Sequence, residues 1–505
     1  MTDTGTARGP ERRSLSANML SQYLANIAGY ASSFFIAPLF IAKLGLTGFG
    51  IWAITGAVAQ YASILDFGVT RSIARFVGVY GKERIERTYE LIGFGILVSL
   101  LLSLGLAIAC WFGAPVVVDI VHHKIGERAM RELLMCSVAI LLFSLIGRVI
   151  SGLPTGLEDL VTPAWAGVYS AALALAINIA TLLVSSSLVF YALTSVLSNV
   201  ISTSILVWMV SRKWGTIKVR LPSREVVKEV TGFSLKGQIP WTLDLLNFQT
   251  DKVVLSALVD VRAAAAYEIV NRVCTAARQL ATAMQGALLP RAVYLIQTRG
   301  RESAQEFSNT YTHQMATIVY PIFAGLSVAA APVLAMWLGK VPHDGVIVMV
   351  GLNLAYAVNA LSGPTGTFAL ADGTQSVMIV PAILTSLTNL VLTATLGPLF
   401  GVVGVLSGTV AAFTFGSALG IVMVARHYQL NYWELLRACG GGLPSTLVAL
   451  AVTVVIAIAL GSPHGRSEGI LQSLLLGTPF LILTGRYMLK IRRHTEVPEA
   501  VPALT

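Results

Sequence analysis

The sequence is poor in charged residues. Only 12% of its 505 residues are charged and 55% are hydrophobic, whereas soluble domains carry about 25% charged residues. The mean hydropathy is +0.74. A water-soluble protein with this much exposed apolar surface would aggregate, which excludes a soluble fold. Apolar runs of the roughly 20 residues needed to cross a bilayer core recur along the whole chain and indicate a polytopic membrane protein.

The chain also lacks the motifs of common catalytic and cofactor sites. Its four cysteines show no CxxC spacing and indicate neither a disulfide framework nor a metal site. The patterns GxxxxGK[ST], HExxH and GxSxG are absent. The longest polar stretches, about 113–131 and 212–230, are too short to fold as a catalytic domain. We therefore expect no enzymatic activity, no cofactor and no metal.

The apolar runs predict an all-α protein of about fourteen transmembrane helices, because uniformly apolar runs of this length span a bilayer only as helices. The predicted spans are 18–42, 46–66, 89–112, 132–155, 163–184, 188–211, 231–258, 264–290, 312–338, 346–371, 376–398, 401–425, 441–460 and 469–489.

Basic residues are distributed unevenly between the two ends of these spans. Twenty-three lysines and arginines fall on the side of both termini and seven on the other. Positive residues accumulate on the cytoplasmic side of membrane proteins, so both termini are predicted to be cytoplasmic. The asymmetry accounts for most of the net charge of +10 without a nucleic-acid partner.

The chain contains a predicted internal repeat. A shift of about 215 residues places the first six spans on spans seven to twelve, and SGLPTG at 151–156 resembles SGPTG at 362–366. Two six-helix bundles related by a pseudo-two-fold axis along the membrane normal are a transporter architecture. The predicted organisation is a tail 1–17, a bundle 18–212, a linker 213–230, a bundle 231–426, an appended helix pair 427–490 and a tail 491–505.

Charges inside the predicted spans are the main functional signal. A charge at mid-span costs at least about 3 kcal/mol and is kept mainly where it faces a wet cavity or a partner. The basic residues within spans are Arg148, Lys236, Lys252, Arg272 and Arg278, and spans seven and eight also hold Asp244, Asp251 and Glu268. They indicate either a cationic cavity for an anionic group or neutral pairs, Glu268–Arg272 and Asp251–Lys252, that join two helices.

Polar residues also recur at helical spacing. Gln22 and Asn26 belong to a stripe on span one that could bind sugar hydroxyls or make interhelical hydrogen bonds. Arg148 shares a stripe with Ser144 and Ser151. Asn271, Arg278 and Gln285, spaced by seven, form a polar face on span eight.

Two further patterns concern other parts of the spans. Arg71 and Arg75, at the cytoplasmic end of span two, could meet a pyrophosphate or only anchor the helix. Span twelve has a small residue every four positions, which predicts close helix packing. These residues are Gly404, Gly408, Ala412, Gly416 and Gly420.

Several short segments together resemble a known family. They are LGLTGFGIW at 44–52, LDFG at 65–68, RF at 75–76, TDK at 250–252, AY at 266–267 and NRV at 271–273. The segments are similar to those of the Wzx-type O-antigen and polysaccharide flippases of the multidrug/oligosaccharidyl-lipid/polysaccharide superfamily. The resemblance covers roughly residues 15–425.

The resemblance implies two six-helix bundles around a positively charged lumen in a bacterial inner membrane. It implies an undecaprenyl-pyrophosphate-linked oligosaccharide as substrate, membrane lipids as surroundings, and the polysaccharide polymerase and chain-length machinery as partners. Arg272 resembles the arginine that lipid II flippases carry in span eight. Span one departs from those relatives, because it holds amides where they place a charged pair.

Together these observations assign expected roles. The substrate-binding residues are expected to be Arg148, Arg272, Arg278, Lys236, Asn26 and Gln22. Asp244, Asp251 and Glu268 would couple transport or balance charge, and Arg71 and Arg75 would form the cytoplasmic entrance. The alternative function is a cation-coupled multidrug antiporter of the same superfamily, although span one lacks the carboxylate typical of such extruders. A membrane polymerase or ligase is disfavoured. Those enzymes usually carry a large outer loop with catalytic residues, whereas the polar stretches of this chain are short.

Overall fold

The described part of the protein is predominantly helical. The structure is a computed structural model that describes residues 15–62, 69–80, 84–157 and 159–494, and these ranges contain no strand. Short turns and two 3₁₀ segments join the α-helices. The helices are α1 (Leu15–Ala62), α2 (Val69–Tyr80), α3 (Ile85–Ile120), α4 (Glu127–Gly156), α5 (Val161–Val184), α6 (Leu188–Trp214), α7 (Arg224–Leu258), α8 (Val261–Arg299), α9 (Ala304–Val328), α10 (Ala330–Leu338), α11 (Gly345–Leu361), α12 (Gly363–Ala371), α13 (Ile379–Tyr428), α14 (Tyr432–Cys439), α15 (Leu443–Leu460) and α16 (Arg466–His494).

Two helices are interrupted by glycine. α1 has 48 residues and α13 has 50, far more than the roughly 20 that cross a bilayer core. Gly45 (φ 75°) breaks α1 and Gly401 (φ 60°) breaks α13. These positive φ angles suit glycine, which has no Cβ to clash. The breaks fall at the boundaries predicted between spans one and two and between spans eleven and twelve.

Many of the helices are suited to a membrane. Within the described ranges, nine are long and apolar enough to cross one, or ten if a pair bent by 65° at the end of α9 counts as one span. α7 is not among them, and its sequence is interrupted by charged residues. The predicted membrane protein class is confirmed, and the count of fourteen spans stays a prediction.

Contacts divide the chain into two compact units. Unit 1 is Met1–Leu245 and unit 2 is Leu246–Thr505. In unit 1, α4 packs against α2, α3 and α6, and α5 packs against α1 and α6. In unit 2, α11 packs against α8, α9 and α13, and α12 packs against α8. The helix pair α15–α16 belongs to unit 2, where α16 packs against α9 and α10.

The helix breaks in the two units occur at positions 215 residues apart, as the predicted repeat requires. Gly45 lies 215 residues before Asp260, which separates α7 from α8. Ser186, between α5 and α6, lies 215 residues before the break at Gly401. The pairing of α4 with α6 in unit 1 recurs as the pairing of α11 with α13 in unit 2. Each unit therefore repeats the same order of helices, considered by itself.

The small residues of span twelve allow the two arms of α13, which are the segments before and after Gly401, to approach each other closely. A Cβ at Gly408 would lie 2.9 Å from the backbone nitrogen of Thr393, and one at Gly416 would lie 1.7 Å from Thr385 Oγ1. No larger residue fits without displacing the other arm. The predicted close packing is confirmed, and its partner is the preceding arm of the same helix.

Candidate functional site

A charged cluster lies in unit 2, where α7 and α8 approach each other beside the turn that joins them. Lys252 is six residues before the end of α7, and Glu268 is seven residues after the start of α8. At 1.5 Å per residue both lie about 10 Å from that turn, well inside the helices. The sequence predicts that spans seven and eight cross the membrane here, and charges at such a depth within a span are functional candidates.

Asp251 is the most deeply buried acid of the cluster, with no exposed surface. Its Oδ2 accepts hydrogen bonds from the hydroxyl of Tyr267 (2.6 Å) and from Oγ1 of Thr409 (2.9 Å). Its Oδ1 is buried and accepts no hydrogen bond from any part of the chain that the structure describes. A buried oxygen left without a donor is costly and indicates a place where a proton or a cation can bind.

Glu268 is shared by two cations. Its Oε2 lies 3.2 Å from Lys252 Nζ, and its Oε1 lies 3.7 Å from Arg272 Nε. The Lys252 side chain is 4% exposed, while that of Arg272 is 26% exposed. The predicted pair Glu268–Arg272 is therefore confirmed, but Lys252 pairs with Glu268 rather than with Asp251. Lys252 is the buried member of this group and Arg272 the accessible one.

The polar face predicted on span eight is turned toward α11. The Tyr356 hydroxyl donates to Asn271 Oδ1 at 2.6 Å, and Arg278 Cζ lies 5.4 Å from the centre of the Tyr356 ring. Gln285 Nε2 donates to the carbonyl oxygen of Ala360 at 3.5 Å. Six residues separate Arg272 from Arg278, which places them about 240° apart around the helix. The two arginines therefore occupy different faces of α8.

The charges around Glu268 are balanced. Lys252 and Arg272 contact Glu268, and Asp251 is the chain neighbour of Lys252. Arg278 adds a further positive charge on another face of α8, beside Tyr356. Electrostatic interactions strengthen where water is excluded, so a guanidinium that turns away from its carboxylate attracts an anion more strongly there than at a wet surface. The accessible Arg272 is therefore suited to holding an anionic group reversibly.

Other predicted site residues lie elsewhere. Arg148, on α4 of unit 1, is exposed and donates to Ser144 Oγ at 3.4 Å. Ser151 donates to the Arg148 carbonyl oxygen, so the predicted stripe is confirmed. Arg75, on α2, is exposed and lies 5.8 Å from the Phe76 ring centre. Five predicted residues have side chains outside the described part of the structure, namely Gln22, Asn26, Arg71, Lys236 and Asp244.

Three residues of the site were not predicted from the sequence. Tyr267, Tyr356 and Thr409 provide the hydroxyl groups around Asp251 and Asn271. The two tyrosines stand in apolar runs, where an aromatic residue is typical of a packed core, and Thr409 sits beside the small-residue seam. A tyrosine directly before an intramembrane glutamate, as in Tyr267–Glu268, is the signal that could have indicated one of them.

Unit 1 has an apolar cluster at the corresponding positions. The residues 215 positions before Asp251, Lys252, Glu268 and Arg272 are Ile36, Ala37, Ala53 and Ala57, and all four are buried. Trp52 takes the place of Tyr267, and its ring packs against that of Tyr191 at 5.3 Å. Thr194 matches Thr409, but its hydroxyl donates only to backbone oxygens in its own helix. The repeated scaffold therefore exists without the charges.

A family model described as "Polysaccharide biosynthesis protein" matches residues 15–296. Among curated proteins, the chain is 22% identical over 425 residues to the probable flippase AglR of Haloferax volcanii, covering 81% of this chain and 83% of that protein. This sequence similarity extends over most of both chains.

Solved structures of the same fold are also found. The inward closed conformation of the lipid II flippase MurJ matches with a TM-score of 0.70 at 13% identity, covering 94% of this chain and 99% of that one. An inward-facing multidrug resistance transporter of the MATE family matches with a TM-score of 0.65 at 17% identity, covering 82% and 97%. The predicted all-α fold is confirmed, and the chain shares it with these solved transporters.

Proposed function

Because the chain belongs to the family of polysaccharide biosynthesis proteins, we propose that it is a flippase for undecaprenyl-pyrophosphate-linked oligosaccharide. It moves an O-antigen or exopolysaccharide repeat unit across a bacterial inner membrane by alternating access through a cationic cavity. Both termini lie in the cytoplasm, and the product is delivered to a polymerase and its chain-length machinery. The similarity to a probable flippase supports this assignment.

The observation that carries the proposal is the contrast between the two repeats at matched positions. Buried ion pairs add little net stability, and apolar residues of similar volume often replace them without loss. Unit 1 holds apolar residues where unit 2 holds Asp251, Lys252, Glu268 and Arg272. The scaffold does not require these charges, so a functional requirement is the better explanation for their presence in unit 2.

Arg272 is the residue best placed to bind the pyrophosphate. It is the accessible member of the cluster, and its contact with Glu268 is long, at 3.7 Å. When its guanidinium turns to a phosphate, Lys252 remains 3.2 Å from Glu268 and keeps that carboxylate paired. Leaving this carboxylate unpaired would cost several kcal/mol. Because Lys252 stays paired with it, Arg272 can turn from Glu268 to the phosphate at a small cost in free energy. Guanidinium also matches phosphate geometry in a bidentate manner.

The remaining predicted residues have supporting roles in this proposal. Arg278 and Arg148 add positive charge for the pyrophosphate, while Lys236, Gln22 and Asn26 contact the headgroup. Arg71 and Arg75 receive it at the cytoplasmic entrance. The membrane potential favours export, because two negative charges moving outward gain about 4.6 kcal/mol at 100 mV.

Asp251 is the proposed coupling group, with Asp244 and Glu268 balancing charge. Its Oδ2 is held by Tyr267 and Thr409, and its Oδ1 has no donor within the described residues. A proton or a monovalent cation on that oxygen would neutralise a fully buried carboxylate. Binding and release of this cation would then accompany the movement of the headgroup.

The experiment replaces Arg272 by alanine and measures translocation of a fluorescent lipid-linked oligosaccharide in proteoliposomes. A hydrogen bond to a charged group contributes about 1.5–3 kcal/mol, so the rate should fall roughly 10- to 100-fold. Arg272→Lys should retain part of the activity, because the charge remains and the bidentate geometry is lost.

The matched control is Arg291→Ala, on the same helix but near its far end, where Arg291 is exposed beside Tyr294. That variant should transport normally. Unchanged transport by Arg272→Ala, at equal protein level, would remove Arg272 from the substrate site.

A second candidate is a cation-coupled multidrug antiporter. The buried carboxylate of Asp251 and the shared fold with a MATE transporter favour it. Cells lacking the lipid-linked glycan distinguish the two functions. Drug resistance that persists there and disappears in Asp251→Asn supports the antiporter, whereas resistance independent of this protein supports the flippase.

A further inference from the structure

A second polar site lies in unit 1, apart from the residues discussed so far. An open pocket of about 890 Å³ is lined by residues of α3, α4 and α6. α3 ends at Ile120, α4 begins at Glu127, and α6 begins at Leu188, so the pocket lies near one end of these helices. The basic residues Arg212 and Lys213 stand at the other end of α6. By the positive-inside distribution the pocket lies on the outer side.

Four charged residues, two acidic and two basic, line one wall of the pocket. They occupy the first two turns of α4 and form two pairs, Glu127–Arg131 at 2.5 Å and Arg128–Glu132 at 3.3 Å. Their side chains are between 37% and 95% exposed, so their polar ends are accessible. This wall therefore has no net charge but offers both a cationic and an anionic contact within two turns.

The rest of the lining is apolar and opens toward lipid. Met135, Val189 and Leu193 contribute apolar surface, and Trp111 lies under Arg131, whose Cζ is 5.3 Å from a ring centre. Trp111 is 50% exposed and Leu193 54% exposed. Tryptophan is typical of the interface between hydrocarbon and headgroups. A site with a charged rim and an apolar side open to lipid is suited to an amphipathic molecule.

We infer that this pocket binds a zwitterionic phospholipid of the outer leaflet, with an ethanolamine headgroup. The phosphate lies against the guanidinium groups of Arg131 and Arg128, and the ammonium lies against Glu132. One acyl chain follows the apolar wall formed by Met135 and Leu193. Phosphatidylglycerol, which has the same phosphate but an uncharged glycerol headgroup, fits less well, because it offers no cation to the two glutamates.

Native mass spectrometry of the full-length protein in detergent tests the site. The protein is titrated separately with palmitoyl-oleoyl phosphatidylethanolamine and with palmitoyl-oleoyl phosphatidylglycerol. One ethanolamine lipid should bind roughly fivefold more tightly than the glycerol lipid, as expected for one added charge contact near the surface. Arg131→Gln should weaken both lipids, and Glu132→Gln should weaken the ethanolamine lipid alone.

The control is Lys124→Gln, an exposed residue in the neighbouring turn that does not line the pocket. Its lipid binding should equal that of the wild type. Equal binding of both lipids, or ethanolamine lipid binding in Arg131→Gln and Glu132→Gln that matches the control, overturns the inference.

A fluorescence measurement locates the lipid independently. Phosphatidylethanolamine with a brominated acyl chain should quench the part of the tryptophan emission that disappears in Trp111→Phe. The protein has eight tryptophans, so the difference between wild type and variant isolates this one. An equal quenched fraction in both proteins would show that no lipid occupies the pocket.

Discussion

The two repeats build the same helical arrangement around opposite chemistry. In unit 1, aromatic side chains pack together around the break in α1 at Gly45. The ring centres of Phe40 and Trp52 lie 4.8 and 5.3 Å from that of Tyr191. In unit 2 the corresponding helices enclose Asp251 and the shared carboxylate of Glu268. Leu141, matched to Tyr356, belongs to a small apolar cluster in unit 1. One repeat was therefore specialised for charge while the other shows the scaffold alone.

The difference teaches that unit 2 can hold its charges because they are shared among several partners. Each carboxylate has two partners, and the buried lysine keeps one of them paired. Removing a single partner from such a group leaves an uncompensated charge, whereas removing the whole group does not. Stability and function should therefore respond differently to single and combined substitutions.

The largest effect should come from making unit 2 apolar like unit 1. A variant with Asp251→Leu, Lys252→Met, Glu268→Met and Arg272→Met should transport at least about 100-fold more slowly, because both the proposed pyrophosphate-binding arginine and the proposed coupling carboxylate are lost. It should nevertheless be about as stable as the wild type or more stable by about 1–4 kcal/mol. Proteoliposome transport and thermal unfolding in detergent measure the two quantities.

The matched control is Glu268→Met alone. It leaves Lys252 buried without this partner and should be less stable than the fourfold variant, by about 3–5 kcal/mol relative to wild type. If the fourfold variant is the less stable protein, the charges hold the fold together and the contrast between the units loses its functional meaning.

A second prediction concerns the glycine that closes the repeated SG(L)PTG motif. In unit 1 a Cβ at Gly156 would lie 2.4 Å from the carbonyl oxygen of Ala74, so Gly156→Ala should destabilise the protein by about 1–3 kcal/mol. In unit 2 a Cβ at Gly366 would meet only Met378 Cε at 3.5 Å. Gly366→Ala should be neutral or stabilising by up to about 1 kcal/mol, because alanine favours helix.

Thermal unfolding of both variants measures this difference. Equal stability of the two proteins would show that α2 can move away from α4 and that the contact in unit 1 is not restrictive.

The smallest effect concerns acids at the helix ends. In unit 1, Asp159 accepts from Lys213, Thr162 and Trp214, and in unit 2 Asp372 accepts from Tyr428 and Arg301. Both carboxylates are 7% exposed. Burial alone would raise the pKa of Asp159, but the hydrogen bonds from Lys213 and Thr162 and the charge of Lys213 outweigh it and lower that pKa.

A lowered pKa in the folded state means that ionised Asp159 stabilises unit 1. This stabilisation is present above the unfolded pKa of about 3.9 and is lost as the pH falls through the folded value. Between pH 6 and pH 3 the unfolding temperature of the wild type should therefore decrease more than that of Asp159→Asn. An identical decrease in both proteins would exclude this contribution.

Much of the architecture was predictable because it depends on local patterns. Apolar run length predicted the membrane class, glycines at 45 and 401 mark predicted boundaries, and helical spacing predicted the Glu268–Arg272 pair and the polar face that contacts α11. The residues that contact these faces were harder to predict from the sequence. Thr409 is 158 residues from Asp251, and Tyr356 is 85 residues from Asn271.

By itself, the sequence determined that the chain is helical, membrane-spanning and repeated, since hydrophobic length and periodicity act within each helix. It also placed charges inside spans seven and eight. Only the tertiary structure decided that Glu268 is shared by Lys252 and Arg272 while Asp251 is held by two hydroxyls. The physical reason is that periodicity specifies which face of a helix is polar, whereas packing among distant helices selects what that face meets.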